Sequence, residues 1–293
     1  MIYYLLLLCS IVLCVCKSSV YNAYAKRSPA GLCAVFGFNA VSYGIAAAVA
    51  LILFLFGSKT ISLPTLLCAF LYAVIVFSLQ TLSVLAMKVG AMSLTAICVM
   101  YGMIIPSLAG PIFWRERLGV LQIVGIVVMV LSLWLLREKG VGDVKSISKK
   151  WLPLAAFCFL FSGLAGVAEK IHQSTDGRDE KQAFVFAACL FMLLFSVLAT
   201  LFTRKKAQAV RLDMRPLLVF GALSGLIVGV YSMVNLTLAG TLDSMIYYPV
   251  ANGGAMLLTI VVSRVIFKEC LTPQKKLGAI IGLVGIVCLS LPI

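Results

Sequence analysis

The stretch FWRERLGVLQIVGIVVMVLSL at 113–133 has a counterpart late in the chain, FKECLTPQKKLGAIIGLVGIVCLSL at 267–291. In both, an apolar run is followed by an acid beside basic residues, then a leucine, then a glycine-bearing apolar segment. Setting Glu116 on Glu269 gives an offset of 269 − 116 = 153, and the same offset carries Leu118 to Leu271 and Gly125 to Gly278. A pattern that returns in register marks a duplicated architecture, and inverted duplications are a recurring plan among membrane transporters.

Working outward from this pair, the composition sets the solvent. The 293 residues are 62% hydrophobic and 12% charged, and the mean hydropathy is +1.11, whereas soluble domains hold roughly 45–50% apolar and about 25% charged residues. A helix crossing the hydrocarbon needs about 20 apolar residues. Ten runs qualify as candidates, at 2–24, 33–56, 64–87, 91–113, 118–136, 151–172, 183–203, 216–238, 245–267 and 277–292. Runs of this length exclude a β-barrel, whose strands alternate over about ten residues. The expected fold is therefore an all-α integral membrane protein with about ten transmembrane helices. They fall into two five-helix repeats, 1–136 and 151–293, joined by a basic connecting loop at 137–150. Because five is odd, consecutive copies insert with opposite orientations and are related by an axis in the membrane plane.

The net charge of +14 lies in loops beside the runs, where it reports orientation and not nucleic acid. Loops after odd-numbered runs carry 16 Lys and Arg, among them Arg137, Lys145, Arg204 and Lys275; loops after even-numbered runs carry 5, namely Lys59, Arg115, Arg117, Arg178 and Lys181. The positive-inside rule then puts both termini outside. Ten cysteines fall almost entirely within apolar runs without metal-site spacing, so they read as small hydrophobes. The first run resembles a signal-peptide core but lacks a basic leader and a small-residue cleavage motif, so it is expected to stay as the first helix.

Within that first run, LLLLCSIVLCVCKSSVYNAYAK at 5–26, Lys17 interrupts the apolar sequence. The offset gives 17 + 153 = 170, which is also a lysine, in GVAEKIHQS. An intramembrane charge costs about 2.5–3.5 kcal/mol on insertion scales, so two at one repeat position suggest a shared task. The alternative for each is a stem that snorkels its ammonium to the interface.

The segments FWRERLGVLQIVGIVVMVLSLWLL and YPVANGGAMLLTIVVSRVIFKECLTPQKKLGAIIGLVGIVCLSL resemble the drug/metabolite transporter superfamily, in its ten-helix EamA-type form. The resemblance spans nearly the whole chain and is specific for fold rather than for substrate. It implies two inverted five-helix bundles around a central cavity, alternating access without nucleotide hydrolysis, and substrates such as amino acids, other metabolites, phosphorylated or nucleotide sugars, or lipid-linked intermediates. It also implies both termini in the cytoplasm, against the charge count, and the second half has Cys270 where a basic residue often follows the acid.

Polar residues remote from loops are the candidate cavity lining, since in lipid each needs a partner or water. Beside Lys17 and Lys170 these are Asn39, Gln80, Tyr101, Tyr231, Asn235, Tyr248 and Asn252 as substrate-binding candidates. Any of them can instead bridge helices. Glu169 and His172, next to Lys170, form a cluster able to titrate, and are the candidates for proton coupling; the alternative is an ordinary charged helix end. Glu116 and Glu269 read as ion-pairing or helix-capping acids. Gly221, Gly225 and Gly229 recur every four residues and predict close helix approach, while Pro106, Pro111 and Pro249 predict kinks at corresponding places of the two halves.

These features point to a secondary transporter of a small organic metabolite, anionic or zwitterionic: an amino acid, an organic acid or a phosphorylated sugar. A lipid-linked or hydrophobic substrate is the alternative within transport, and a membrane-embedded enzyme the alternative of another class. The enzyme is disfavoured because neither H-E-x-x-H nor G-x-S-x-G occurs and the chain has a single histidine. No metal, cofactor or nucleic acid is expected; the partners are a solute and the lipid bilayer, with a homodimer left open, and the expected location is a bacterial cytoplasmic membrane.

Overall fold

The computed structural model describes residues 2–25, 27, 31–57, 60–89, 92–116, 119–136, 150–175, 179–206, 213–265 and 273–290. Among these there is no strand. The helices are α1 (Ile2–Ala25), α2 (Leu32–Phe56), α3 (Leu63–Val89), α4 (Met92–Tyr101), α5 (Ile104–Phe113), α6 (Val120–Leu136), α7 (Trp151–Ser174), α8 (Lys181–Lys206), α9 (Met214–Thr241), α10 (Ser244–Val265) and α11 (Pro273–Ser290). Six of them, α1, α2, α3, α7, α8 and α9, contain spans long and apolar enough to cross a membrane. Their outward faces fit that solvent: Leu66, Leu67, Phe70 and Leu71 of α3 are exposed, as are Leu194, Val197, Leu198 and Leu201 of α8. The protein is thus an α-helical membrane protein. The second member of the repeated motif, with Lys268, Glu269, Cys270 and Leu271, lies outside the described residues, as do Arg117 and Leu118 of the first.

One expected helix is two. The run 91–113 divides between α4 and α5, and the cause is local. Pro106 has no N–H to give the Gly102 carbonyl, its i−4 acceptor. That carbonyl instead accepts from Ile105 N–H at 3.0 Å, while Gly102 N–H donates to Val99 O at 3.1 Å and Met103 N–H to Met100 O at 3.2 Å. These are i→i+3 bonds, so the chain tightens into a turn rather than bending gently. Pro249, by contrast, lies within a continuous α10.

The chain divides into two compact units that differ from the two sequence halves. One comprises Met1–Val12, Ser78–Val167 and Thr241–Ile293; the other comprises Leu13–Phe77 and Ala168–Gly240. Each draws segments from both halves.

In the first unit, α10 runs beside α5, α6 and α11, and α11 lies along α6. Ser132 Oγ donates to Gly278 O at 2.8 Å across the α6–α11 contact. Glycine lets α7 approach the end of α4: a Cβ at Gly102, just after α4, would fall 2.6 Å from Ser162 Cβ, and Ser162 Oγ donates to Val99 O at 2.7 Å. Trp151 opens α7 buried against Ala86, Ala155 and Cys158, and its indole N–H donates to Thr95 Oγ1 at 3.0 Å.

In the second unit, α2 and α8 pack as a helix pair, with Ala46, Ala47, Ala50, Ala187 and Ala188 buried in the cluster around them. Small side chains let backbones approach and gain dispersion contacts, since lipid removes most of the hydrophobic drive between helices. The last turns of α1 are held by Tyr24, whose ring stacks on Phe38 at 4.6 Å and whose hydroxyl donates to Ala34 O at 3.2 Å. The glycine series of α9 works as its spacing predicts. Gly221, Gly225 and Gly229 face Val41, Ile45 and Val49 of α2, also four apart, and Ser42 Oγ donates to Gly221 O at 3.1 Å.

At Gly225 an added Cβ would sit 2.5 Å from the Ser42 backbone oxygen and 2.6 Å from Ile45 Cβ, whereas at Gly44 it would meet only Leu193 Cδ1 at 3.7 Å. Gly225→Ala should therefore lower the melting temperature in detergent, by an overpacking cost of about 1–3 kcal/mol. Gly44→Ala should leave it nearly unchanged; equal responses from the two variants would contradict the α2–α9 packing.

Candidate functional site

The second unit carries a polar cluster, half-buried except for the buried Glu169, built on α1, α3, α7 and α9. Lys17, late in α1, holds its Nζ 4.6 Å from the centre of the Tyr231 ring on α9, a cation–π distance. Tyr231 hydrogen-bonds Asn235 one turn further along α9 and Cys14 one turn before Lys17 on α1. Glu169 of α7 is 8% exposed, accepts from the Tyr72 hydroxyl of α3 at 3.0 Å and lies within electrostatic reach of Lys17. Tyr43 and Tyr231 are further neighbours of Tyr72. An ammonium, a carboxyl and the Tyr72 and Tyr231 phenols thus converge from these four helices, with Tyr43 of α2 beside them.

Four of the sequence-derived candidates meet here: Lys17, Glu169, Tyr231 and Asn235. Lys170 is half-buried and makes contacts of its own, but its neighbour Glu169 is the residue coupled to Lys17. Asn39 of the same unit is buried on α2 and partnered. His172 takes a separate position one turn beyond Glu169. Its ring packs at a tilt against Phe184 of α8 with centroids 4.3 Å apart, and Phe184 in turn packs on the Tyr72 ring at 5.5 Å.

The remaining candidates belong to the first unit, where their visible bonds tie helices to one another or cap their own turn. Tyr101 Oη donates to Val130 O at 3.0 Å, joining α4 to α6. Tyr248 Oη donates to Gly166 O at 2.5 Å, joining α10 to α7, and a Cβ at Gly166 would lie 2.8 Å from the Tyr248 ring. Asn252 Nδ2 donates to Tyr248 O at 2.9 Å within α10, and Gln80 is half-buried and partnered on α3. Glu116 is a helix cap: its carboxylate accepts from Ser244 N–H at 2.8 Å and from Ser244 Oγ at 3.1 Å at the first turn of α10. A carboxylate there also meets the positive end of the helix dipole. The turn that delivers it places Arg115 at φ 54.

Tyr72, Thr65, Ser62, Gln173 and Glu180 are absent from the sequence-derived set although the structure gives them polar roles. One signal is visible in hindsight. Thr65 and Tyr72 are seven residues apart on α3 and share a face, but a threonine at the start of a run and a tyrosine among aromatics look like a helix end and a packing residue. Glu180 accepts from Ser62 N–H at 2.9 Å and from Ser62 Oγ at 2.7 Å, tying the loop before α8 to the start of α3.

No family model and no curated protein matches this chain. Chains of solved structures do match. One of them, described as "Crystal structure of protein", superposes with a TM-score of 0.79 over 98% of this chain and 96% of its own, at 15% identity. At that identity the likeness shows the fold alone.

Glu180 stands outside the spans. Desolvation pushes its carboxyl up, but hydrogen bonds from Ser62, Thr65 and Thr60 outweigh this and hold it below the usual carboxylate range. A depressed folded-state pKa contributes stability that is present above the unfolded value and is lost as pH falls through the folded one. Acid titration of the melting temperature should show a carboxylate-range loss that Glu180→Gln reduces, the variant being the less stable of the two at neutral pH. Identical pH profiles would remove Glu180 from the α3 anchorage.

Proposed function

We propose that this chain is a secondary transporter of a small zwitterionic solute, with ten spans arranged as two inverted five-helix repeats and working by alternating access. The observation that carries the reading is that Lys17, against the Tyr231 ring, and Glu169, bonded by the Tyr72 hydroxyl, lie within electrostatic reach of each other in helices that face lipid elsewhere. Intramembrane ionisable groups are costly and mark solute or ion pathways by default. Opposite charges on separate helices favour a ligand that carries both signs. Lys17 receives the carboxylate or phosphate, Glu169 the ammonium, and the Tyr231 and Tyr72 rings flank them. A simple anion would satisfy Lys17 and leave the Glu169 carboxylate facing added negative charge. The 153-residue offset and the resemblance to EamA-type transporters support the repeat architecture, and the broken segment at Gly102 and Met103 is of the kind found where transporter helices are interrupted. Glu169 and His172 remain the residues proposed to couple proton movement, in a bacterial cytoplasmic membrane.

Thermal-shift measurements on the purified protein against amino acids, organic acids, sugar phosphates and nucleotide sugars test this, with wild type, Lys17→Met and Glu169→Gln in parallel. A ligand at 100 times its dissociation constant stabilises the native state by about 2.7 kcal/mol. An amino acid or other zwitterion should raise the wild-type melting temperature and fail to raise that of either variant, each variant first shown to melt cooperatively without solute. Stabilisation by a dianion that strengthens in Glu169→Gln would replace the zwitterion with an anion. A zwitterion that stabilises all three proteins alike would place binding elsewhere. Uptake of the stabilising solute into protein-containing vesicles then tests transport itself.

A further inference from the structure

A second polar chain in the same unit runs from the loop before α8 to the buried imidazole. Glu180 accepts from Ser62 Oγ at 2.7 Å; Ser62 Oγ and Thr65 Oγ1 are 3.1 Å apart; Thr65 Oγ1 and His172 Nε2 are 3.3 Å apart; His172 Nδ1 and Gln173 Nε2 are 3.0 Å apart. The first group is partly exposed and the fourth, His172, is 0% exposed. Each intermediate atom is a hydroxyl, which can accept one proton while giving up another. The geometry points to a proton path that connects His172 to the aqueous edge through Thr65, Ser62 and Glu180. It goes beyond the transport reading and stands whichever solute the chain moves.

The step balances without any external redox partner. With Glu180 protonated and His172 neutral as the Nδ1–H form, the Glu180 proton passes to Ser62 Oγ, the Ser62 proton to Thr65 Oγ1 and the Thr65 proton to His172 Nε2. Glu180 ends as a carboxylate and His172 as an imidazolium, and the reverse sequence returns the proton to water. Gln173 completes the device. Its Oε1 is buried and has no hydrogen-bond partner among the described residues, in a side chain that is 4% exposed. Rotation of the amide exchanges its oxygen and nitrogen and gives His172 Nδ1–H an acceptor, so one orientation suits an imidazole that accepts at Nδ1 and the other suits one that donates there.

The surroundings of His172 fit this task. Its charged neighbours are Glu180 and Lys181 at the start of α8, and Glu169 lies one turn back on α7. Phe184 packs against the imidazole and also against the Tyr72 ring. Because His172 has no exposed surface, the hydroxyl chain is the described route from water to the imidazole.

His172 is the single histidine of the chain, so histidine labelled with ¹⁵N reports this site alone. In the full-length protein in lipid nanodiscs, the ring nitrogens should titrate reversibly with bulk pH and exchange protons with water. Thr65→Val, close in shape but without the hydroxyl, should slow that exchange about ten-fold or more, the rate equivalent of one lost hydrogen-bonded link. Thr65→Ser should restore it. Equal exchange in wild type and Thr65→Val, both melting cooperatively, would overturn the path, and so would a wild-type ring that neither titrates nor exchanges. Neither result depends on solute binding at Lys17 and Glu169, so the two proposals fail separately.

Discussion

In hydrocarbon no water stands ready to satisfy a polar group, so each one must be answered from within the protein. That constraint orders this structure more than any apolar contact does. It explains why the Gly102 carbonyl, denied a donor by Pro106, finds Ile105 and why the helix breaks there. It explains why Tyr101, Tyr248, Ser132 and Ser162 all spend their hydroxyls on backbone carbonyls of neighbouring helices. Packing then follows where small residues let the backbones close, as along Gly221, Gly225 and Gly229.

The helices were legible in the sequence because apolar length alone specifies them in lipid. Runs such as 33–56 and 151–172 agree with α2 and α7 to within a residue or two at each end. The break in 91–113 was visible only as a proline; whether a proline kinks or divides a helix depends on which donor replaces the missing one, as Pro249 within α10 demonstrates. The polar candidates were less legible. Tyr101 and Tyr231 both sit midway along their runs, yet one bonds a carbonyl of α6 and the other lies beneath an ammonium. What separates them is the rotation of each helix about its axis and the identity of the helix opposite, neither of which a single sequence contains.

Glu116 illustrates the same limit from the other side. The acid reads as capping or ion-pairing, and its capping role depends on a segment 128 residues away, where Ser244 begins α10 and offers both its N–H and its hydroxyl. Two donors converging on one carboxylate at a helix start make it a cap, favoured also by the positive end of the helix dipole.

The 153-residue offset in sequence sets Lys17 against Lys170, and physics argues against the two sharing one site. Two ammonium groups sharing one low-dielectric cluster would repel more strongly than in water. The second half resolves this by one residue. Consecutive side chains on a helix diverge by about 100°, so directing Glu169 towards Lys17 turns Lys170 to another face of α7. The position equivalent to Glu169 in the first half, 169 − 153 = 16, is Cys16, which is exposed. Lys170 thus keeps the position that the 153-residue offset assigns to it while the acid next to it takes the inward place, so that a cation on α1 faces a carboxyl rather than a second ammonium.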